Sequence, residues 1–136
     1  MEIPLFYRGC SRVWKAFGNF CLRYGEEASR LAARETNPLR RAELETIASD
    51  CTYISSYPPV NFRQAVQAVW FSHILNTFED HINANSVGRL DQILYPFFKK
   101  DLEAGIITKE EAYELICCLW IKLYQYPDPY PADPRI

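Results

Sequence analysis

The stretch that decides the fold is residues 81–96, whose sequence is HINANSVGRLDQILYP. It differs from the apolar, periodic segments on either side, because it concentrates neutral hydrogen-bonding side chains, one glycine, and an arginine followed two positions later by an aspartate. Asn, Ser and Gly are typical of loops, since their side chains bond to nearby backbone groups or leave the backbone free to turn. We therefore predict a polar connector over residues 81–89 between two helices. If the chain binds a ligand, we expect the ligand to bind at this connector.

Apolar residues recur at every third or fourth position on both sides of the connector, which predicts amphipathic helices. Upstream, the pattern begins at Val13, after an irregular start over residues 1–10, and resumes after the N-cap Asn37. The helix predicted over residues 62–79 is apolar on more than one side, as is typical of a helix that is central in a larger structure.

Two further helices are predicted after the connector, over residues 90–102 and 108–123. Pro96 falls inside the first of them, so this helix either starts near Leu94 or is kinked. The fold class is therefore mainly α, with about five helices and at most one short strand near residues 82–87.

Short local patterns predict where three of these helices begin or end. Two pairs, Asn61 with Gln64 and Thr108 with Glu111, have the spacing of capping boxes. In a capping box the side chain of each residue accepts a hydrogen bond from the backbone N–H of the other residue. Gly105 follows the helix over residues 90–102 and is expected to close it.

The composition is that of a globular protein and argues against several classes of partner. The 136 residues are 49% hydrophobic, and the net charge of −2 argues against nucleic acid as a partner. No apolar run is long enough to cross a bilayer, so no membrane is expected as a partner. The five cysteines are odd in number and lack metal-ligand spacing, which favours the reducing cytoplasm and predicts no metal site. We predict one helical domain over residues 1–125 and an extended, proline-rich tail over residues 126–136.

Three neutral side chains of the connector, Asn83, Asn85 and Ser86, are the candidate substrate-binding residues. Amides and hydroxyls can orient a small polar substrate without the cost of burying a charge. The same residue types also satisfy free backbone groups in turns, and the sequence leaves both interpretations open.

Other chemically active residues have structural interpretations. Arg89 and Asp91 are predicted to form a structural pair or a helix cap. His73 is expected to hydrogen-bond within the core, and Cys117-Cys118 to pack there as small apolar residues. No complete catalytic constellation is visible.

Residues 88–102, GRLDQILYPFFKKDL, continue into EAGIITKEEAYEL at 103–115, and residues 57–67 are YPPVNFRQAVQ. These segments resemble the glycyl radical enzymes of the pyruvate formate-lyase type, which have similar GR(F/M/L)DQ-x-LYP, KKD and PP-x-(T/N)F runs. The resemblance extends from about Arg30 to Leu123. It marks six residues as members of the family's structural motif: Gly88, Arg89, Asp91, Gln92, Tyr95 and Pro96.

The resemblance implies a fragment from the N-terminal half of an α/β barrel enzyme, in which a glycine radical passes to a cysteine that attacks the substrate. It implies radical cleavage of a C–C or C–X bond in anaerobic metabolism, by a lyase or by an acyltransferase similar to formate C-acetyltransferase. The family's radical is installed by a separate iron–sulfur activating enzyme that uses S-adenosylmethionine.

The family's radical glycine and cysteine lie in motifs similar to RV-x-G(Y/F) and GC-x-E, and neither motif occurs in this sequence. No catalytic residue and no cofactor is therefore expected in this chain. It would be inactive alone, and its partners would be the rest of the enzyme or a full-length homologue, together with the activating enzyme.

Two alternatives concern the substrate and the role of the chain. In polyol dehydratase relatives, a Gly-His-Ser stretch before the GR run contacts substrate hydroxyls, whereas this chain has Ile82-Asn83-Ala84, which argues against simple glycerol dehydration. The alternative to an enzyme fragment is a free-standing helical interaction module that docks on a partner protein through exposed aromatic faces.

Overall fold

The computed structural model describes residues 3–80 and 85–125, most of which are helical. The helices are α1 (Ile3–Ala32), α2 (Pro38–Ile54), α3 (Phe62–Asp80), α4 (Leu90–Glu103) and α5 (Lys109–Gln125). These described ranges contain no strand, so the prediction of a mainly α fold is confirmed. Residues 82–84 of the expected strand and the predicted tail at 126–136 lie outside the described residues.

The chain divides into two compact units, Met1–Pro59 and Val60–Ile136. The first contains α1 and α2, and the second contains α3, α4 and α5. The extent of a family domain over residues 1–125 stays a prediction.

The first unit is an antiparallel pair of helices that pack at backbone distance. A Cβ atom added at Gly18 would lie 2.5 Å from the carbonyl oxygen of Ser55, and one added at Gly25 would lie 3.2 Å from that of Ala48. Small residues spaced three or four apart allow this approach along the buried face of α1: Gly18, Cys21, Gly25, Ala28 and Ala32. The absence of side-chain volume on α1 is therefore what brings α2 close.

The helix α1 begins at Ile3, so the irregular start predicted for residues 1–10 is wrong from Ile3 onward. Pro4 is compatible with a helix here because it lies in the first turn, where its missing N–H leaves no hydrogen bond unmade. Gly9 lowers helix propensity by only about 1 kcal/mol, which a helix of 30 residues tolerates.

The second unit packs α4 and α5 against α3 around large apolar side chains. Its buried cluster consists of Phe62, Ala65, Val66, Leu94, Ile107, Ala112 and Leu119. Phe62 also meets Phe98 of α4 edge to face, with ring centroids 5.7 Å apart. Phe71, which lies off the stripe that contains Phe62, is also buried, so this helix is apolar on more than one side.

The beginning of α3 is held by neighbouring residues in the sequence and by one residue of α4. Asn61 caps the helix through Oδ1, which accepts from the Gln64 N–H at 2.8 Å, and Gln64 Oε1 accepts from the Val60 N–H at 3.1 Å. The Phe62 N–H donates to Oδ2 of Asp101 at 2.7 Å, and Asp101 is only 1% exposed. A carboxylate at this position also complements the positive end of the helix dipole.

The predicted C-terminal end of α4 and the predicted start of α5 are confirmed. Gly105 has φ 66°, and across it the Ile106 N–H donates to the Asp101 carbonyl oxygen at 2.8 Å, which closes α4. Thr108 and Glu111 form the predicted capping box. The Thr108 N–H donates to Glu111 Oε2 at 2.8 Å, and the Glu111 N–H donates to Thr108 Oγ1 at 3.1 Å.

Pro96 lies within α4, which begins at Leu90, so a start near Leu94 is wrong. The missing N–H of Pro96 removes one bond, to the carbonyl of Gln92. Both residues are exposed, so water can replace the lost partner.

Candidate functional site

The last turns of α3 and the described part of the connector, residues 85–89, form the candidate site. Thr77 is buried, and its hydroxyl donates to the carbonyl oxygen of His73 at 2.8 Å. Asn85 Nδ2 donates to Thr77 Oγ1 at 3.3 Å and to the His73 carbonyl oxygen at 3.4 Å. These hydrogen bonds attach the connector to α3. Both use Asn85 Nδ2, so the amide oxygen of Asn85 takes part in neither of them.

Ser86 is exposed and supports the turn that follows it. The Gly88 N–H donates to Ser86 Oγ at 3.2 Å, and Gly88 has φ 72°, a backbone conformation that favours glycine. This contact is of the loop-capping kind. Asn83 lies outside the described residues, and the substrate-binding roles of Asn83, Asn85 and Ser86 stay predictions.

His73 has a different setting from the one predicted. Its Nδ1 is buried and has no hydrogen-bond partner among residues 3–80 and 85–125, so the expected core hydrogen bond is not made by this atom. The ring stacks on Trp70, with centroids 6.2 Å apart and 22° between the planes. Burial lowers the pKa of His73 below its ordinary value, so the imidazole is neutral at pH 7.

A neutral imidazole can offer Nδ1 to a ligand as a donor or an acceptor. In the sequence, His73 lies four residues before Thr77, and both are near the end of α3 that leads into the connector. This spacing is the sequence signal that could have grouped the two residues. Sequence reasoning assigned both residues to the apolar stripe of that helix.

Arg89 and Asp91 form a bidentate pair before and within the first turn of α4. Arg89 Nε donates to Asp91 Oδ1 at 3.0 Å, and Nη2 donates to Oδ2 at 2.8 Å. This hydrogen bonding lowers the pKa of Asp91 and raises that of Arg89. Their side chains are 70% and 65% exposed, so the pair contributes little to stability.

The rest of the motif is divided between core and solvent. Leu94 is buried in the second unit, whereas Gln92, Tyr95 and Pro96 are exposed on α4. Leu94 therefore stabilises this chain, whereas no burial in this chain explains the motif residues Gln92, Tyr95 and Pro96.

The adjacent cysteines of α5 are only partly covered. Cys117 is half-buried and Cys118 is exposed, so the core packing predicted for the pair is wrong for Cys118. A hydrogen bond with Cys117 raises the pKa of the Tyr113 hydroxyl. All five cysteines are free thiols.

Two other features are absent from the part of the chain that the structure describes. No group of three or more His, Cys, Asp or Glu side chains there could hold a metal ion. None of its helices combines the length and the apolar character needed to cross a membrane.

Comparison with known proteins identifies the family. Residues 1–133 match the family model described as pyruvate formate lyase-like. The chain belongs to this family. The match confirms the resemblance carried by residues 57–67 and 88–115, and it includes α1, which that resemblance covered only in part.

Curated relatives of this chain are much longer than the chain itself. Isethionate sulfite-lyase of Oleidesulfovibrio alaskensis is 45% identical over 109 residues, which are 79% of this chain and 13% of the relative. Trans-4-hydroxy-L-proline dehydratase of Clostridioides difficile is 41% identical over 108 residues, 79% of this chain and 14% of the relative. The chain thus spans about one-eighth to one-seventh of these relatives.

The similarity extends to three-dimensional structure. A glycyl radical enzyme from Archaeoglobus fulgidus matches with a TM-score of 0.76 and 42% identity, over 79% of this chain and 14% of that one. Most of this chain therefore corresponds in structure to part of a glycyl radical enzyme.

Proposed function

We propose that this chain supplies a helical part of a glycyl radical lyase or dehydratase that cleaves a C–C or C–X bond in a small hydroxylated substrate. The main support is the 45% identity over 109 residues with isethionate sulfite-lyase, beside the 41% identity with trans-4-hydroxy-L-proline dehydratase. The substrates in these two names are small and polar, and each carries a hydroxyl group. An acyl transfer similar to that of formate C-acetyltransferase has less support, because these relatives are a lyase and a dehydratase.

A glycyl radical and a cysteine in the rest of the enzyme would supply the radical chemistry. Motifs similar to RV-x-G(Y/F) and GC-x-E are missing from this sequence, so both radical-bearing residues belong to the rest of the enzyme and this chain is inactive alone. Activation by an iron–sulfur enzyme that uses S-adenosylmethionine, anaerobic metabolism and a cytoplasmic location are parts of the same proposal.

The connector's role in this proposal is to orient the substrate. Asn85 is fixed through Nδ2 to the end of α3, so its amide oxygen is positioned to accept a hydrogen bond from a substrate hydroxyl. A neutral amide of this kind orients a polar substrate without a buried charge. Asn83 and Ser86 are proposed as substrate-binding residues from their place in the connector.

A docking module is the second candidate, and one surface favours it. Tyr113, Trp120, Ile121 and Tyr124 on α5 are all more than half exposed. Exposed apolar patches of this kind mark sites of protein interaction.

Anaerobic co-expression tests the enzymatic proposal. The chain would be produced with isethionate sulfite-lyase lacking its matched 109 residues, together with that enzyme's activating partner. We expect a stable complex and the electron paramagnetic resonance signal of a glycyl radical only when the chain is present. Absence of any complex would contradict the proposal and leave the docking module as the better explanation.

A variant pair tests the connector in the same complex. Asn85→Ala should raise KM about tenfold for a hydroxylated substrate, because one hydrogen bond is lost, without changing the radical signal. Asn76→Ala removes an exposed amide from α3 and should change neither quantity. An unchanged KM in Asn85→Ala would show that this residue only caps the loop.

A further inference from the structure

The helix α1 extends well beyond the helix that covers it. Gly18 lies against Ser55, the C-cap residue of α2. Residues 3–17, which we call the α1 extension, therefore continue past the end of α2 for about 22 Å at a rise of about 1.5 Å per residue.

The apolar face of the α1 extension continues the face that α2 covers further along the helix. Cys21 is fully buried on that face, and Phe6, Cys10, Val13, Trp14 and Phe17 continue it at helical spacing toward the N-terminus. Phe6 is 55% exposed, and Val13 and Trp14 are each 70% exposed. A continuous stripe of this kind indicates a surface built for contact, unlike single exposed apolar residues.

The opposite face of the extension is basic. Arg8, Arg12 and Lys15 lie there, and no acidic residue occurs from Ile3 to Gly25. Charged side chains are costly to bury, so this face is suited to water. The extension therefore requires cover on one side only.

The shape of the uncovered face restricts what can cover it. Because α2 lies on the same side of α1, a flat surface such as a membrane would collide with α2, whose diameter is about 10 Å. A single helix that lies along the apolar stripe fits this face.

The family relationship indicates where such an element comes from. The family match includes residues 1–133, so the α1 extension is part of the family fold. The relatives keep most of their polypeptide outside the matched region, since this chain covers 13% and 14% of their lengths.

We propose that the apolar face of the α1 extension docks a helix from the rest of a glycyl radical enzyme polypeptide. The inference rests on the proposed function and names a surface through which the chain joins the larger enzyme. Its aromatic residues are the anchors expected at the centre of such a contact.

Photo-crosslinking in the full chain tests this surface. The photoreactive residue p-benzoylphenylalanine would replace Trp14 on the apolar face or, as the matched control, Arg12 on nearly the opposite side of the helix. Each variant would be co-expressed with tagged trans-4-hydroxy-L-proline dehydratase from which the whole segment that corresponds to residues 1–125 of this chain, including its counterpart of α1, has been removed. We expect position 14 to crosslink to that chain at least about tenfold more than position 12, with attachment points three or four residues apart in one segment.

The outcomes separate this inference from the proposed function. Co-purification without a preferential crosslink from position 14 overturns the docking surface and leaves the proposed function standing, whereas loss of co-purification overturns both. A crosslink from position 14 to a second copy of this chain also overturns the inference.

Charge variants give an independent readout. Trp14→Glu should weaken co-purification at least about tenfold, whereas Arg12→Glu should leave it unchanged. Equal effects of the two variants would contradict the proposal. Circular dichroism should show unchanged helix content in both, because each residue is exposed in the chain by itself.

Discussion

The two units of this chain join their helices in opposite ways. In Met1–Pro59, glycine and small residues on α1 let the backbone of α2 approach closely. In Val60–Ile136, large apolar side chains fill the space between helices, and a buried carboxylate from α4 holds the start of α3. The first unit should therefore be sensitive to added volume, and the second to removed groups.

The largest effect is expected from adding one methyl group in the first unit. Gly18→Ala places a Cβ 2.5 Å from the Ser55 carbonyl oxygen, so the two helices must separate. We expect a loss of about 3 kcal/mol in the free energy of unfolding, measured by urea denaturation with circular dichroism.

A matched control lies on the same helix. A Cβ at Gly9 would have nothing within 4 Å, so Gly9→Ala should stabilise the chain by about 0.5–1 kcal/mol through helix propensity. If Gly18→Ala behaved like Gly9→Ala, the close approach of α1 and α2 would be wrong.

Removing the buried carboxylate should have the main effect in the second unit. Asp101→Ala leaves the Phe62 N–H without its partner, which should cost about 2 kcal/mol in the free energy of unfolding. Glu103→Ala, an exposed change on the same helix, should stay within about 0.5 kcal/mol. Equal effects of the two variants would remove the contrast between the units.

Alkaline pH should weaken the first unit through its two buried thiols. Burial, with Cys51 nearby, raises the pKa of Cys21 from 9.0 to about 12, and burial, with Asp50 nearby, raises that of Cys51 from 9.0 to about 11. Above pH 9 the unfolded chain loses these protons while the folded chain retains them. Stability should therefore be complete below pH 9 and fall between pH 9 and 12, by about 1 kcal/mol for each thiol at pH 10.

Single cysteine variants test this pH dependence. Cys21→Ala should flatten the decline in unfolding free energy above pH 9, because one of the two titrating groups is gone. Cys118→Ser, at an exposed position, should leave the slope unchanged. If Cys21→Ala left the slope of the unfolding free energy against pH unchanged, the loss of stability at alkaline pH would come from other groups.

The smallest effect is expected from the exposed pair at the start of α4. Arg89→Ala should change the free energy of unfolding by less than about 0.5 kcal/mol, because both side chains are mostly in water. A double-mutant cycle with Asp91→Ala would measure the coupling directly. A coupling above about 1 kcal/mol would make this surface pair comparable to the buried Asp101 contact.

Most helix ends were predictable because their interactions are local. Asn37 Oδ1 accepts from the Leu39 and Arg40 N–H groups, and Thr108 pairs with Glu111 three residues away, so each signal fits in a short window. The early start of α1 was missed because Pro4 and Gly9 were counted as helix breakers, although Pro4 lies in the first turn and Gly9 costs the helix little.

The candidate site was predictable only in its location. A connector rich in Asn and Ser was evident from residue types, and the structure attaches Asn85 to the end of α3. The buried Nδ1 of His73 depends on packing around a ring that the sequence places only on an apolar stripe.

The sequence by itself determined the mainly α class, most helix ends, the polar connector and the membership of a glycyl radical family. These follow from periodicity, capping and motif, which act over a few residues or are carried by the order of residue types. Only the tertiary structure decided that Asp101 holds the start of α3, 39 residues away, that Gly18 admits the backbone of α2, and that the α1 extension is left uncovered. Such features depend on which groups that are distant in the sequence lie next to each other in the folded chain, and no local sequence pattern encodes this.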